Sequence, residues 1–135
     1  MTAVLVDSNV LLDIMTEDER WFAWSARALA EAAETGRLVI NPMIYAEISV
    51  RFERIEDLED AAPASNFERE AIPYEAAFLA GKVFAAYRRR GGVKTSPLPD
   101  FFIGAHAAIA GYRLLTRDAA RYRSYFSDLD LIAPA

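Results

Sequence analysis

Four acidic residues that lie far apart in this sequence are candidates for one chemical site: Asp7, Glu47, Asp100 and Asp118. Asp7 and Asp118 follow apolar runs typical of strands, Asp100 lies at the start of a predicted helix, and Glu47 lies inside another. In an open parallel sheet, ligands bind outside the carboxyl ends of the strands, where loops lead into helices. We therefore expect the four carboxylates to converge at that edge.

A cluster of carboxylates has a specific chemical use. Hard divalent cations prefer carboxylate oxygen, and Mg²⁺ keeps several waters, which leaves positions for a phosphate oxygen and an attacking water. Such a cation lowers the pKa of the water and neutralises a phosphoryl transition state. It also bridges acidic side chains to a polyanion, which matters because the formal net charge of this chain is −5. The acids thus predict phosphoryl chemistry with Mg²⁺ or Mn²⁺ as cofactor.

Each acid, taken alone, also has an ordinary structural interpretation. Asp7 and Asp118 could be helix caps, Asp100 could complement a helix dipole, and Glu47 could pair with Arg51 one turn later. That interpretation is weaker for Glu47 and Asp100, because helical spacing places both carboxylates beside core-facing residues. A buried carboxylate without a partner is costly, and a shared cation would compensate for it.

Several other chemistries lack the residues they need. Cysteine is absent, which excludes disulfides, thiol nucleophiles and cysteine-ligated zinc. The only histidine, His106, lies among alanines in a predicted helix, where packing is a better explanation than Ser-His-Asp catalysis. Neither glycine-rich phosphate-binding motif occurs, so no nucleotide cofactor is expected. A haloacid-dehalogenase-like phosphatase needs an acid where Asn9 stands, and a receiver domain needs a lysine where Thr116 stands.

The elements that must position these residues alternate between strands and helices. Short β-branched or apolar runs predict strands at residues 3–6, 38–40, 113–116 and 129–132. Helical spacing and capping residues predict helices at residues 10–15, 21–35, 43–52, 73–87, 100–110 and 118–126. The acidic sequence after residue 52 is expected to continue its helix to residue 62, and residues 93–99 are expected to form a loop. This alternation predicts an α/β fold with a mostly parallel sheet.

Length and composition bound the class of protein. A chain of 135 residues fits one domain, which we assign to residues 1–135. No apolar run approaches the length of about 20 residues that a membrane span needs. The first residues do not resemble a secretory signal, so we expect a cytoplasmic protein with no membrane partner.

Four segments of the chain resemble the PIN domain family, and within it the VapC toxins. In family order, these segments are VLVDSNVLLD at residues 4–13, NPMIYAEI at 41–48, PDFFIGAHA at 99–107 and LLTRD at 114–118. Each segment is a weak signal alone, but the four together are a strong one, and they are distributed along nearly the whole chain. The resemblance implies a PIN-like three-layer fold with helices on both faces of the sheet.

The resemblance also implies a function and roles for particular residues. Asp7, Glu47, Asp100 and Asp118 match the acids that hold Mg²⁺ or Mn²⁺, and Asn9, Thr116 and Ser8 match supporting positions. The implied function is that of a metal-dependent endoribonuclease, the toxin of a VapBC-type toxin–antitoxin pair. The implied partners are an RNA substrate, a VapB-type antitoxin and a second copy of the chain in a homodimer. The alternative is a PIN-like module that binds RNA or protein without cutting.

Basic and aromatic residues suggest where partners bind. Local cations must hold RNA on an acidic protein, and one cluster could do so: Arg88, Arg89, Arg90 and Lys94. A second basic cluster, the next candidate, comprises Arg113, Arg117, Arg121 and Arg123. Both clusters are also compatible with solvated helix ends. Trp21 and Trp24 share a helical face, which indicates either an interface or core packing.

Overall fold

The central sheet of this protein is parallel throughout. The computed structural model describes residues 2–94 and 98–135. Its strands are β1 (Thr2–Val6), β2 (Gly36–Ile40), β3 (Glu68–Arg69), β4 (Arg113–Leu115) and β5 (Leu131–Ile132). They are hydrogen-bonded in the order β3-β2-β1-β4-β5, and each neighbouring pair is parallel. The α/β fold with a parallel sheet is therefore as predicted.

Helices connect the strands, as parallel pairing requires. They are α1 (Ser8–Met15), α2 (Phe22–Thr35), α3 (Pro42–Ser49), α4 (Ile55–Ala61), α5 (Tyr74–Arg89), α6 (Pro99–Ala110) and α7 (Ala119–Tyr125). The central strand β1 is buried from Ala3 to Val6, which explains why its sequence is apolar without alternation. None of the described helices is long and apolar enough to cross a bilayer.

One prediction about the elements was wrong, and one strand was missed. The helix expected to run from residue 43 to 62 is interrupted: α3 ends at Ser49, and α4 begins only at Ile55. The Ser49 hydroxyl donates to the carbonyl of Tyr45 at 2.6 Å, and the next turns tighten, with Phe52 N–H donating to the Ser49 carbonyl. Strand β3 was missed because its two residues are exposed and charged, without the β-branched composition of a typical strand.

Smaller differences concern the ends of elements. The predicted strands at residues 113–116 and 129–132 correspond to β4 and the shorter β5. Helices α5 and α7 lie within one or two residues of their predicted positions. In the predicted loop at residues 93–99, residues 95–97 lie outside the described part of the chain, and α6 already begins at Pro99.

Candidate active site

The ends of β1 and β4 place acidic residues at the carboxyl edge of the sheet. Asp7 directly follows β1, and its amide donates to the carbonyl of Leu115 in β4 at 2.9 Å. Glu47 projects from α3, Asp100 lies in the first turn of α6, and Asp118 is the residue before α7. We call these four residues the carboxylate site.

Asp7 is the buried centre of this site. Only 3% of its surface is exposed, and its side chain accepts hydrogen bonds from the Ser8 amide at 2.8 Å and the Thr116 hydroxyl at 2.9 Å. Burial raises the pKa of Asp7 to about 6, although the Thr116 hydrogen bond opposes this, and the charges of Asp100 and Glu47 raise it further. Asp7 is thus a helix cap, but one whose charge is poorly compensated.

Glu47 faces the same site rather than its own helix. Its Oε1 accepts a hydrogen bond of 2.7 Å from the Ser8 hydroxyl. Burial raises the pKa of Glu47, as does the charge of Asp100, while the Ser8 hydrogen bond and Arg121 lower it. The structural interpretation in which Glu47 pairs with Arg51 is therefore not needed to explain its position.

Arg121 is the main positive charge at the site. Its guanidinium spans two acids, at 2.7 Å from Asp100 Oδ2 and 3.2 Å from Asp118 Oδ2, and its side chain is half-exposed. The hydrogen bond to Asp100 raises the pKa of Arg121. Sequence reasoning had placed Arg121 only in a basic cluster. Its position three residues after Asp118 on a predicted helix was the available signal.

Tyr122 is a further site residue that sequence reasoning missed. Its side chain is 1% exposed, and its hydroxyl lies 3.0 Å from Asp7 Oδ2 and 3.4 Å from Asp100 Oδ1. Burial first, and then the neighbouring acids, raise the pKa of Tyr122 far above its usual value, so it is a permanent hydrogen-bond donor. A tyrosine at a core-facing position of a helix gives no sign in sequence that its hydroxyl meets two carboxylates.

The polar residues expected to support the site surround Asp7. The Asn9 amide nitrogen lies 3.3 Å from Asp7 Oδ2 and 3.3 Å from the Thr116 hydroxyl oxygen. That oxygen also accepts a 3.1 Å hydrogen bond from the Asp118 amide. Ser8 serves both Asp7, through its amide, and Glu47, through its hydroxyl. These contacts connect the acids through neutral donors.

The donor set of the site fits a hard cation in chemistry. It consists of carboxylate oxygens, the ligands that hard divalent cations prefer. Burial raises the pKa of two of these carboxyl groups, Asp7 and Glu47. Within residues 2–94 and 98–135, no three acidic or histidine side chains are already arranged to hold a metal ion. The Arg121 guanidinium contacts both Asp100 and Asp118, and the Tyr122 hydroxyl lies between Asp7 and Asp100.

A second polar cluster lies at the ends of β2 and β3, and we call it the histidine network: Asn41, Glu70, His106 and Tyr112. His106 is fully buried; its Nδ1 lies 3.0 Å from the Asn41 amide nitrogen and its Nε2 lies 3.2 Å from Glu70. Because Asn41 Oδ1 accepts from the Ile44 amide, Asn41 donates to Nδ1, and Nε2 of His106 donates to Glu70. The Tyr112 hydroxyl also donates to Glu70, at 2.7 Å. His106 is thus a packed, hydrogen-bonded residue, the explanation favoured by its sequence context.

The two basic clusters differ in how they are used. In the second cluster, three arginines form ion pairs within the chain: Arg113 with Asp130, Arg117 with Asp13, and Arg121 with Asp100 and Asp118. In the first cluster, the Arg88 guanidinium donates to the Lys94 carbonyl, and Arg89 and Arg90 are exposed at the end of α5. The first cluster therefore offers more charge to an external anion.

The tryptophan pair is mainly structural. Trp21 and Trp24 meet edge to face with ring centroids 6.4 Å apart, and Trp24 packs against the core. The Arg117 guanidinium lies 5.6 Å from the centre of the Trp21 ring. Trp21 therefore helps hold the arginine that pairs with the buried Asp13.

Comparisons with known proteins agree with the geometry. The family model of the PIN domain matches residues 4–126. Similar solved structures include VapBC2 from Rickettsia felis bound to a DNA fragment from its promoter, with 14% identity, 98% of each chain covered and a TM-score of 0.73. VapBC-1 from nontypeable Haemophilus influenzae has 16% identity, 98% coverage of each chain and a TM-score of 0.73. A toxin–antitoxin complex from Klebsiella pneumoniae has 22% identity, 98% coverage of each chain and a TM-score of 0.62. No curated protein sequence matches this chain.

Proposed function

This chain belongs to the PIN domain family, and from that membership and its carboxylate chemistry we propose that it is a metal-dependent endoribonuclease. It cleaves phosphodiester bonds of RNA as the toxin of a VapBC-type toxin–antitoxin pair. Residues 1–135 act as a single PIN domain in the cytoplasm. The observation that carries the proposal is the buried carboxylate of Asp7, which the Tyr122 hydroxyl connects to Asp100 and Ser8 connects to Glu47.

A divalent cation would compensate the negative charge of this arrangement. Asp7, Glu47, Asp100 and Asp118 are the residues that would hold it, and the cation would compete with Arg121 for Asp100 and Asp118. Bound there, Mg²⁺ or Mn²⁺ would supply positive charge toward a phosphate and lower the pKa of an attacking water. Without a cation, the same acids repel the RNA backbone, so metal dependence follows from charge.

The protein's own residues orient the acids. Thr116 and Tyr122 donate to Asp7 Oδ2, while the Ser8 amide donates to Oδ1. Hydrogen bonds therefore fix the orientation of both carboxylate oxygens of Asp7. The Ser8 hydroxyl fixes Glu47 in the same way. Such supporting hydrogen bonds commonly change metal affinity or activity by about 10- to 100-fold when removed. Asn9 completes this layer by its contacts with Asp7 and Thr116.

Binding of RNA and of partner proteins needs surfaces beyond the acids. We assign contacts with the RNA backbone to the first basic cluster: Arg88, Arg89, Arg90 and Lys94. A VapB-type antitoxin and a second copy of the chain are the proposed protein partners. The antitoxin is supported by the similar structures, which are VapBC2 from Rickettsia felis, VapBC-1 from Haemophilus influenzae and a toxin–antitoxin complex from Klebsiella pneumoniae.

The proposal is tested by incubating the purified protein with transfer RNA and ribosomal RNA, with MgCl₂, with MnCl₂ or with excess EDTA. Fragments should form with Mn²⁺ and not with EDTA, and mapping their 5′ ends would identify the cut site. Full cleavage in EDTA would overturn the metal mechanism. Retention of RNA by the wild-type protein without cleavage in either metal would instead identify a non-cutting PIN-like module.

A further inference from the structure

Two clefts meet at the ring of Tyr125, on the last turn of α7. One of about 340 Å³ opens onto the carboxylate site, and Glu47, Asp100, Arg121 and Tyr125 line it together with Leu98 and Pro99. The other, of about 330 Å³, is lined by Tyr125 with Tyr87, Arg90, Gly91, Gly92 and Ser124. Each volume lies near the lower limit for small-ligand sites, at about 300 Å³. The two clefts therefore lie on either side of one shared residue, Tyr125.

The Tyr125 ring is held rigidly and is still accessible. It packs edge to face against the buried Phe101, with centroids 4.7 Å apart, and it contacts Tyr87 with centroids 6.2 Å apart. The Arg90 guanidinium lies over the ring, 6.0 Å from its centroid. An aromatic ring with one face toward an exposed arginine combines the two features that bind single-stranded nucleic acid, a stacking surface and a cation.

The charges around the second cleft favour an anionic strand. Among the described residues that line it, Arg90 carries the only formal charge. The lining glycines leave its wall without long side chains, and Gly92 in particular is needed because a Cβ there would overlap the Tyr87 ring. The cleft next to the acids holds carboxylates, whereas this one holds a cation, so a phosphate that leaves the acids meets positive charge.

We propose that the cleft between Arg90 and Tyr125 is a nucleotide subsite for single-stranded RNA, in which the exposed Arg90 side chain turns from the Tyr125 ring to a phosphate and the adjoining base stacks on the ring. The inference rests on the proposed function, and it narrows the role of the basic cluster to one arginine. It also adds Tyr125, which no motif in the sequence singles out. A base flanking the cut site is thereby held outside the carboxylate site.

The test measures binding rather than turnover, in the cleavage-inactive Asp7→Asn background. The probe is a fluorescein-labelled oligouridylate of about ten nucleotides, within the range of common single-strand sites, titrated by anisotropy in Mg²⁺ buffer across a salt series. Tyr125→Leu should weaken binding roughly tenfold by loss of stacking, and Tyr125→Phe should restore it. Arg90→Gln should weaken binding and lower the salt slope by about 0.7. The exposed Arg27→Gln on α2 is the matched control and should change neither quantity.

The outcomes separate the subsite from the enzyme. Equal affinities for the parent, Tyr125→Leu and Arg90→Gln would overturn the subsite and leave the ribonuclease proposal intact, provided that the wild-type protein cleaves RNA with Mn²⁺. Arg90 is exposed, so Arg90→Gln remains informative even if Tyr125→Leu disturbs packing against Phe101. An Arg27→Gln effect as large as that of Arg90→Gln would also contradict the subsite. Absence of oligouridylate binding by the parent would overturn it as well, and cleavage by the wild-type protein would then decide the function separately.

Discussion

The carboxylate site and the histidine network lie beside the same sheet, yet they balance their polar groups in opposite ways. In the histidine network, Asn41 and Tyr112 donate to His106 and Glu70, and the His106 ring donates to Glu70. In the carboxylate site, buried Asp7 faces two further acids that raise its pKa. Arg121 is the cation that forms ion pairs at this site, and it binds Asp100 and Asp118.

This difference distinguishes a structural polar cluster from a functional one. Buried polar groups that satisfy each other stabilise the fold and need nothing from outside. Acids that repel each other reduce stability, and they are typical of sites where a bound ligand of opposite charge offsets the repulsion. We expect substitutions in the carboxylate site to reduce activity, and substitutions in the histidine network to reduce stability while activity is retained.

The largest expected effect is on catalysis. Asp7→Asn should reduce metal-dependent RNA cleavage by more than about 100-fold, since it removes a proposed cation ligand, and even groups behind such ligands contribute about 10- to 100-fold. Glu70→Gln in the histidine network should retain cleavage, since Glu70 lies outside the carboxylate site. Rates of cleavage at equal folded concentration measure this. Loss of cleavage in Glu70→Gln with Asp7→Asn still active would reverse the assignment of the two clusters.

The pH dependence of stability should differ between Asp7 and its asparagine variant. The pKa of Asp7 is raised from 3.8 to about 6 in the folded protein, so the folded state binds the proton more tightly than the unfolded state. The stability of the wild-type protein relative to Asp7→Asn should therefore fall as pH rises from about 4 to 6, by up to about 3 kcal/mol. It should be constant above that range. Urea unfolding of both proteins in EDTA measures the difference, and a difference that rises with pH would contradict the raised pKa.

A somewhat smaller effect is expected from breaking the histidine network. Glu70→Ala leaves the buried Nε2–H of His106 and the Tyr112 hydroxyl without their acceptor, which should cost about 2 kcal/mol of unfolding free energy. The metal affinity of the carboxylate site should be unchanged. Urea unfolding and Mn²⁺ calorimetry on the same variant separate the two quantities. An unchanged unfolding free energy would mean that the network does not stabilise the fold.

The smallest effect concerns Arg121, which competes with any cation for Asp100 and Asp118. Arg121→Gln should tighten Mn²⁺ binding by several-fold, equivalent to about 1 kcal/mol, because a half-exposed ion pair is strongly screened. Arg54→Gln removes an arginine from the exposed ion pair with Glu56 and is the matched control. Calorimetric titration with Mn²⁺ measures both. Weaker binding in Arg121→Gln would show that Arg121 supports the cation rather than competing with it.

Sequence was informative where a residue's neighbours along the chain define its position. Asp7 after an apolar strand, and Asn41-Pro42 at the start of a helix, gave local signals that matched the fold. Asp118 is a local partner of Arg121, but the contacts of Arg121 with Asp100 and of Tyr122 with Asp7 and Asp100 depend on tertiary packing, which no local pattern encodes. Strand β3 was missed for a related reason, because its two charged residues pair with β2 only through the tertiary arrangement. Periodicity alone predicted the helices and strands, and the resemblance of four separate segments to one family predicted the roles of the acids.

The most direct measurement of the central claim is the change in thermal stability that Mn²⁺ causes. At a concentration of about 100 times the dissociation constant, binding stabilises the folded protein by about 2.7 kcal/mol, which raises Tm by several degrees. The wild-type protein and Glu70→Gln should both show this rise relative to EDTA, and Asp7→Asn should show little or none. A rise of equal size in Asp7→Asn, or no rise in the wild-type protein, would contradict a cation site built on the repelling carboxylates.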